Sequence, residues 1–191
     1  DALILNGDIA DHSGDLEHIL TIYKIASGVT GGNIPTVFSR GNHDLRGNAA
    51  ELLAEYTPTY YGKSYYTFRI ANIWGVILDT GEDKVDEHPE YGNTICCHIF
   101  REDETEFLKD LIEKKEYEAD GIDYRFVVSH VPFGRANKSE KGGECPFDIE
   151  TEIFTEWCTL LRENIKPDLM ICGHTHTPRT ADMGGDMDDH G

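Results

Sequence analysis

Residues 36–44 read TVFSRGNHD, an apolar segment that stops abruptly at glycine, asparagine, histidine and aspartate. Residues 35–40 have the pattern of a buried strand with Pro35 at its entrance. Gly41 permits a sharp turn, and asparagine and aspartate are common turn residues, but turn formation does not account for His43. Three other apolar segments end in the same manner: ALILN before GD at residues 7–8, YRFVV before SH at 129–130, and DLMIC before GHTH at 173–176.

The segments around these strands predict helices and a hairpin. Apolar residues near helical spacing predict helices at residues 13–27, 48–56, 101–117 and 149–165. Ser13 or Asp15 would cap the first helix, and Gly28 would end it. Residues 64–70 and 72–79, SYYTFRI and NIWGVILD, are rich in β-branched and aromatic residues and predict a hairpin. Alternating strands and helices favour a layered α/β or α+β fold, and the absence of a repeat or linker predicts one domain over residues 1–191.

The composition is that of a globular protein with a large acidic excess. The chain has 191 residues, a formal net charge of −19, 39% hydrophobic residues and 28% charged residues. Such acidity disfavours nucleic acid as a partner, although metal cations would let an acidic protein bind small anions. EDETE at 102–106 and DMDD at 186–189 are interpreted as solvated surface. No apolar run approaches the ~20 residues that cross a bilayer, so we expect no membrane segment in this chain.

Five cysteines are present, and none forms a C-x-x-C pair. We interpret them as reduced thiols used mainly in packing, which indicates a reducing compartment and predicts a cytoplasmic protein. An alternative is a thiol enzyme based on Cys96 or Cys97 with His98 beside them. That alternative predicts sensitivity to iodoacetamide and no requirement for metal.

The residues that follow the four strands share a chemistry. Ligands gather outside the carboxyl ends of strands in layered sheets, so residues distant in sequence can meet there. Aspartate and asparagine offer oxygen donors and histidine offers nitrogen, a mixture that suits zinc, iron or manganese better than calcium. One carboxylate can bridge two cations about 3.5–4 Å apart, which is the geometry of two-metal phosphoester hydrolysis. The pattern therefore predicts a metal site at the strand ends.

The motifs GDIAD, GNHD, VVSH and GHTH, in this order, resemble those of the calcineurin-like metallophosphoesterases. The resemblance runs from Gly7 to His176, nearly the whole chain. It implies two packed β-sheets flanked by helices, in a four-layer sandwich. It also implies a centre of two divalent ions, Mn, Fe or Zn, that hydrolyses phosphomonoesters or phosphodiesters.

The resemblance also implies roles for individual residues. Asp8 would bridge the two metals, with Asn42, His130 and His174 on one ion and His176 on the other. His43 would face the scissile bond, where it stabilises charge or protonates the leaving oxygen, while metal-bound hydroxide attacks phosphorus in line. Asp11 would hold the His43 ring, although an aspartate at this point is also typical of a helix cap.

One motif of the family is absent from this sequence. Members usually open with Asp-x-His on a strand before GD, and those residues supply two ligands to the metal that His176 binds. We therefore expect this chain to be a piece of a longer enzyme, lacking an N-terminal strand and C-terminal strands. One metal site would be complete and the other half-built, so the piece itself would be weakly active or inactive.

The leading hypothesis is a phosphatase acting on a small phosphorylated substrate or a phosphoprotein. A phosphodiesterase of the same fold and a non-catalytic metal-binding scaffold remain alternatives. Arg40, Arg46 and Arg135 flank the motifs and could reach a substrate phosphate, but a surface arginine is the commoner case. The loops at 81–94 and 134–148 would set the substrate, and oligomeric state leaves no trace in the sequence.

Overall fold

A computed structural model describes residues 1–91, 97–132 and 149–178, with residues 180 and 182. Within them, six strands and four α-helices follow one another along the chain. The elements are β1 (Leu3–Asn6), α1 (Leu16–Thr30), β2 (Thr36–Ser39), α2 (Leu53–Tyr56), β3 (Tyr66–Ile70), β4 (Ile73–Leu78), α3 (Cys97–Lys114), β5 (Tyr124–Ser129), α4 (Thr151–Leu160) and β6 (Leu169–Ile171).

The strands form two sheets, as predicted. β1 and β2 pair in parallel in the first sheet, and the second sheet has the order β3-β4-β5-β6. The predicted hairpin is confirmed, because β3 runs antiparallel to β4, whereas β4, β5 and β6 are mutually parallel. Parallel strands present their carboxyl ends at the same edge, so the polar residues that follow β1 and β2, and those that follow β5 and β6, are brought together in pairs.

The side chains alternate between two faces of each sheet. Val37 packs with Ile77 and Val128 of the second sheet, whereas the next residue, Phe38, packs with Ile19 of α1. Alternation with a period of two therefore places one face of the first sheet against the second sheet and the other face against α1. On the far side of the second sheet, a third cluster joins the strands to α3 and α4 through Val76, Val127, Leu108 and Trp157. The mixed α/β fold with helices outside two packed sheets is thereby confirmed.

Polar contacts also tie the two sheets together. The hydroxyl of Tyr66 donates to the carbonyl oxygen of Phe38 at 2.7 Å and accepts from its amide at 3.1 Å. Nδ2 of Asn6, at the end of β1, donates to the carbonyl oxygen of Ser129, at the end of β5, at 3.3 Å. The carboxyl ends of β1 and β5 are thus held side by side.

Helix boundaries differ from the predictions at several ends, among them the start of α2, which lies at Leu53 rather than residue 48. Helix α1 begins after the cap Asp15 but continues past Gly28 to Thr30, and Gly31 ends it in a left-handed conformation. Helix α3 begins at Cys97, before the predicted residue 101, and α4 stops at Leu160, followed by a π-helical turn to Ile165. An isolated glycine is tolerated inside a helix, which is why the prediction at Gly28 was wrong.

The prediction that EDETE is solvated surface was also wrong in part. Glu104 is fully buried and Thr105 exposes 5% of its surface. Both lie on the face of α3 that carries Arg101 and Leu108, since residues three and four apart share a helix face. Sequence composition alone did not separate this face from the exposed one.

Among the described residues, no helix combines the length and the apolar character that crossing a bilayer requires. Cys96, Arg135, the whole loop at 134–148, the last three residues of the loop at 81–94 and the DMDD segment lie outside the described residues.

Candidate metal centre

Asp8 lies at the centre of the site, in the turn that follows β1. Its backbone is left-handed, with φ of 50°. Carboxylate atom Oδ2 lies 2.9 Å from Nε2 of His130, and Oδ1 accepts from the backbone amide of His43 at 2.9 Å. Burial alone would raise the pKa of Asp8, but the contacts with His130 and with the His43 amide hold that pKa below its usual value. Asp8 is therefore a carboxylate that joins two of the sequence motifs.

Asp44 links the first two motifs through hydrogen bonds to their backbone. Its Oδ2 accepts from the backbone amides of Asp8 at 2.9 Å and Gly41 at 2.8 Å, and the residue exposes 1% of its surface. Burial raises the pKa of Asp44 to about 6, against the lowering effect of the two amides. From the sequence, Asp44 was expected to be a hydrogen-bonding or solvated neighbour of the motif residues, and its contacts show the hydrogen-bonding alternative.

His130 follows β5 and exposes 4% of its surface. Its Nδ1 lies 2.7 Å from the carbonyl oxygen of Asn6, so Nδ1–H donates there and Nε2 is the nitrogen that offers a lone pair. Nε2 is buried and has no well-aligned hydrogen bond among the described residues, although it lies close to the Asp8 carboxylate. Imidazole nitrogen and carboxylate oxygen are both common metal ligands, so these two atoms could bind one cation together.

His174 and Asn42 complete a second side of the site. Nδ1 of His174 lies 3.1 Å from Oδ1 of Asn42, which is almost fully buried. The rings of His130 and His174 stand edge to face, with centroids 5.6 Å apart. Asp8, His130 and His174 each offer one ligand atom, and these atoms all lie within 4.8 Å of one another. Four residues predicted as ligands are thus neighbours in space.

His43 lies beside this group without belonging to it. Its Nδ1 is 2.8 Å from the carbonyl oxygen of Asp11 and 3.2 Å from the Asp11 carboxylate. The structure therefore brings together the two residues predicted to form a catalytic pair. Asp11 does not cap α1, since Asp15 does so, and the capping interpretation of Asp11 is wrong.

His176 is not one of the three residues whose ligand atoms all lie within 4.8 Å of one another. Its side chain is exposed and its backbone is left-handed, with φ of 52°. A role for His176 as ligand to another metal stays a prediction.

The family model for calcineurin-like phosphoesterases matches residues 1–178, which contain all four motifs. The chain belongs to the calcineurin-like phosphoesterase family. Membership indicates metal-dependent phosphoester hydrolysis and the binding of divalent metal. A comparison with curated proteins gives no match.

The residues of this family member fit a divalent cation on chemical and steric grounds. Nitrogen from histidine and oxygen from aspartate and asparagine is a donor set that suits first-row transition metals. The backbone leaves the room that such a site needs at Gly41, where a Cβ atom would lie 2.2 Å from Oδ1 of Asp8. Any other residue at this position would displace the central carboxylate.

Two buried acidic residues beside this phosphoesterase-family site were not predicted from the sequence. Asp83 exposes 6% of its surface, and its Oδ2 lies 3.8 Å from Nε2 of His174. Glu82, beside it, is also buried. The sequence analysis treated this segment as part of a polar loop. A signal was present, because the apolar strand β4 also ends in a polar cluster, DTGED.

The two described arginines near the motifs differ in position. Nε of Arg40 lies 2.5 Å from the buried Asp79 carboxylate, and its guanidinium stacks over Phe100. Arg46 instead lies beside His43, with Nη1 3.5 Å from the ring atom Nε2. Of this pair, only Arg46 is in contact with a predicted catalytic residue.

Proposed function

We propose that this protein is a phosphatase that hydrolyses phosphomonoesters with two divalent ions. The observation that carries the proposal is the convergence of ligand atoms from Asp8, His130 and His174 within 4.8 Å, with Oδ1 of Asn42 beside them. A cation bound among these three groups would neutralise the Asp8 carboxylate and take a lone pair from each of the two histidines.

One ion would be bound by Asp8, Asn42, His130 and His174. The other ion would take some of its ligands from His176 and Asp8. The ions, when bound, polarise the phosphoryl oxygens and lower the pKa of water. The chain's own contribution is to fix the ligands before substrate arrives. Asn6 sets the tautomer of His130, and Asp44 sets the position of the Asp8 backbone.

His43 is proposed to act on the leaving oxygen. Nδ1 of His43 faces Asp11, so the other ring nitrogen, Nε2, would be the one that contacts the substrate. A histidine in this position stabilises developing charge or delivers a proton to the departing alkoxide. Asp11 would act through His43 by holding the ring, as the third member of a triad does.

The test uses the full-length protein supplied with Mn²⁺ and two substrates, p-nitrophenyl phosphate and bis(p-nitrophenyl) phosphate. We expect turnover of the monoester, and we expect Asn42→Ala and His174→Ala to lower kcat/KM by about 100-fold or more. His18→Ala is the matched control, because His18 is an exposed helix histidine paired with Asp15. Its activity should equal that of the unaltered protein.

Each remaining outcome has a distinct meaning. Preference for the diester would replace phosphatase by phosphodiesterase activity. Bound Mn²⁺ without turnover of either ester would favour the scaffold alternative. Unchanged activity in Asn42→Ala and His174→Ala would remove the metal-dependent mechanism altogether, and activity lost to iodoacetamide would point to Cys96 or Cys97.

A further inference from the structure

The guanidinium of Arg46 occupies a defined place next to the candidate catalytic histidine. Nη1 lies 3.5 Å from Nε2 of His43, the nitrogen that the proposed function turns toward the substrate. The side chain lies over the ring of Tyr91 and exposes 26% of its surface. A positive charge at this place would meet the same phosphoryl group that the metal ligands face.

Glu82 holds Arg46 in a fixed orientation. Nε of Arg46 donates to Oε1 at 3.0 Å and Nη2 donates to Oε2 at 2.8 Å, which is the two-point contact between arginine and carboxylate. Oδ1 of Asp83 lies 3.5 Å from Nη2. A bidentate contact sets the plane of the guanidinium as well as its distance, so Nη1 is directed toward His43.

The backbone of Glu82 is anchored by a buried side chain of the core. Arg101 of α3 is fully buried and donates to the carbonyl oxygens of Thr80 and Glu82, each at 2.7 Å. Its Nη1 also donates to Oε1 of Glu150 at 3.1 Å. Because buried arginines are rare unless paired, this anchoring of residues 80–82 indicates that their position is specified.

Asp83 links the same loop to the metal ligands. One of its carboxylate oxygens lies near Arg46, and the other lies 3.8 Å from Nε2 of His174. The hydroxyl of Tyr91 donates to Asp83 at 2.6 Å. Arg46 therefore belongs to a network that borders both the candidate catalytic histidine and the candidate metal site.

We propose that Arg46 binds the phosphoryl group of the substrate beside His43, and that Glu82 is the positioning residue that directs it. This inference rests on the proposed function, since it takes the phosphoryl group to lie between the metal ligands and His43. Arginine suits the task because its planar donors match phosphate oxygens. Arg40 does not share it, because its described contacts are with Asp79 and Phe100, whereas Arg46 contacts the ring of His43.

The first experiment measures binding rather than turnover. Inorganic phosphate is titrated calorimetrically into the Mn²⁺-loaded protein. We expect Arg46→Ala to weaken phosphate binding about tenfold or more, and Arg46→Lys to weaken it less. Arg40→Lys is the matched control, since it alters a half-buried arginine with a carboxylate partner, and its phosphate affinity should be unchanged. Equal affinities in Arg46→Ala and the unaltered protein, or an equal loss in Arg40→Lys, would overturn the assignment.

The second experiment tests whether Glu82 acts through Arg46. Glu82→Gln should weaken phosphate binding and raise KM for p-nitrophenyl phosphate, with Mn²⁺ affinity retained. In the Arg46→Ala background, Glu82→Gln should have little further effect, because the side chain that it positions is gone. Additive losses in this double-mutant cycle would show that Glu82 has no positioning role.

Failure of this inference and failure of the proposed function are distinguishable. A protein that binds Mn²⁺ and phosphate but turns over neither ester contradicts the proposed function, while the Arg46→Ala titration still decides the role of Arg46. A protein that binds Mn²⁺ but no phosphate overturns the inference as well.

Discussion

Two candidate ligands, and the residue beside a third, are held by hydrogen bonds that do not use the proposed ligand atoms. The amide of Asp8 donates to Asp44, and Nδ1 of His130 lies against the carbonyl oxygen of Asn6. The amide of Gly173, next to His174, donates to the carbonyl oxygen of His130 at 2.8 Å. Such outer contacts orient ligands in advance, so little conformational entropy is lost when a metal binds.

Glu104 offers a prediction about pH and stability. It is fully buried, its Oε1 accepts from the amide of Asp79 at 2.7 Å, and its Oε2 has no hydrogen-bond partner among the described residues. Burial, followed by the nearby Asp79 carboxylate, raises the pKa of Glu104 well above the usual 4.5. The folded protein therefore keeps this proton at a pH where the unfolded chain has released it.

The sign of the effect follows from linkage. Between the usual and the raised pKa, the native state binds more protons, so the free energy of unfolding falls as pH rises. Glu104→Gln keeps the acceptor and removes the titration. The urea midpoint of Glu104→Gln minus that of the unaltered protein should therefore increase from pH 5 to pH 8. Glu106→Gln, which alters an exposed glutamate, is the control. If the urea midpoints of Glu104→Gln and the unaltered protein change with pH in parallel, the prediction is contradicted.

At the scale of single elements, α1 shows how two glycines in one segment differ. Gly28 is helical, and a Cβ atom there would contact no other heavy atom within 4 Å. Gly31 has a left-handed backbone with φ of 60°, and its amide closes the helix on the carbonyl oxygen of Ser27. Alanine suits the first position and is strained at the second.

The two substitutions should therefore have opposite effects. We expect Gly28→Ala to raise the free energy of unfolding by about 0.5–1 kcal/mol and Gly31→Ala to lower it by about 1 kcal/mol. Chemical denaturation at one pH measures both. Two changes of the same sign would show that α1 does not end as the structure describes.

At the scale of the whole molecule, the candidate site joins the two sheets. Asp8 and Asn42 follow strands of the first sheet, whereas His130 and His174 follow strands of the second. An ion bound among them would link both sheets, and it would bind only the folded chain because the ligands are far apart in sequence.

Metal should therefore stabilise the protein as a whole. At a free Mn²⁺ concentration of about 100 Kd, the expected gain is about 2.7 kcal/mol, seen as a higher Tm than in EDTA. His174→Ala should shrink this gain, whereas the exposed His18→Ala should keep it. Identical Tm values with Mn²⁺ and EDTA would contradict binding at this site.

Much of the fold could be predicted because its signals are local. Short apolar runs that end in polar residues marked four strands, and the hairpin of β3 and β4 followed from their β-branched and aromatic composition. Helix ends were less accurate, since a single glycine such as Gly28 has different effects inside a helix and beyond its end. Burial of Glu104 escaped prediction, because a charged run has the same composition whether or not one member faces the core.

By itself, the sequence determined which residues stand at the ends of strands, and with them the motifs that contain Asp8, Asn42, His130 and His174. Only the tertiary structure decided which other charged groups join them. Glu82 and Arg46 lie far apart along the chain and pair with each other where the buried Arg101 holds the carbonyl oxygen of Glu82. The physical reason is that strand patterns and turns arise from neighbouring residues, whereas the burial and pairing of a charge depend on packing between distant elements.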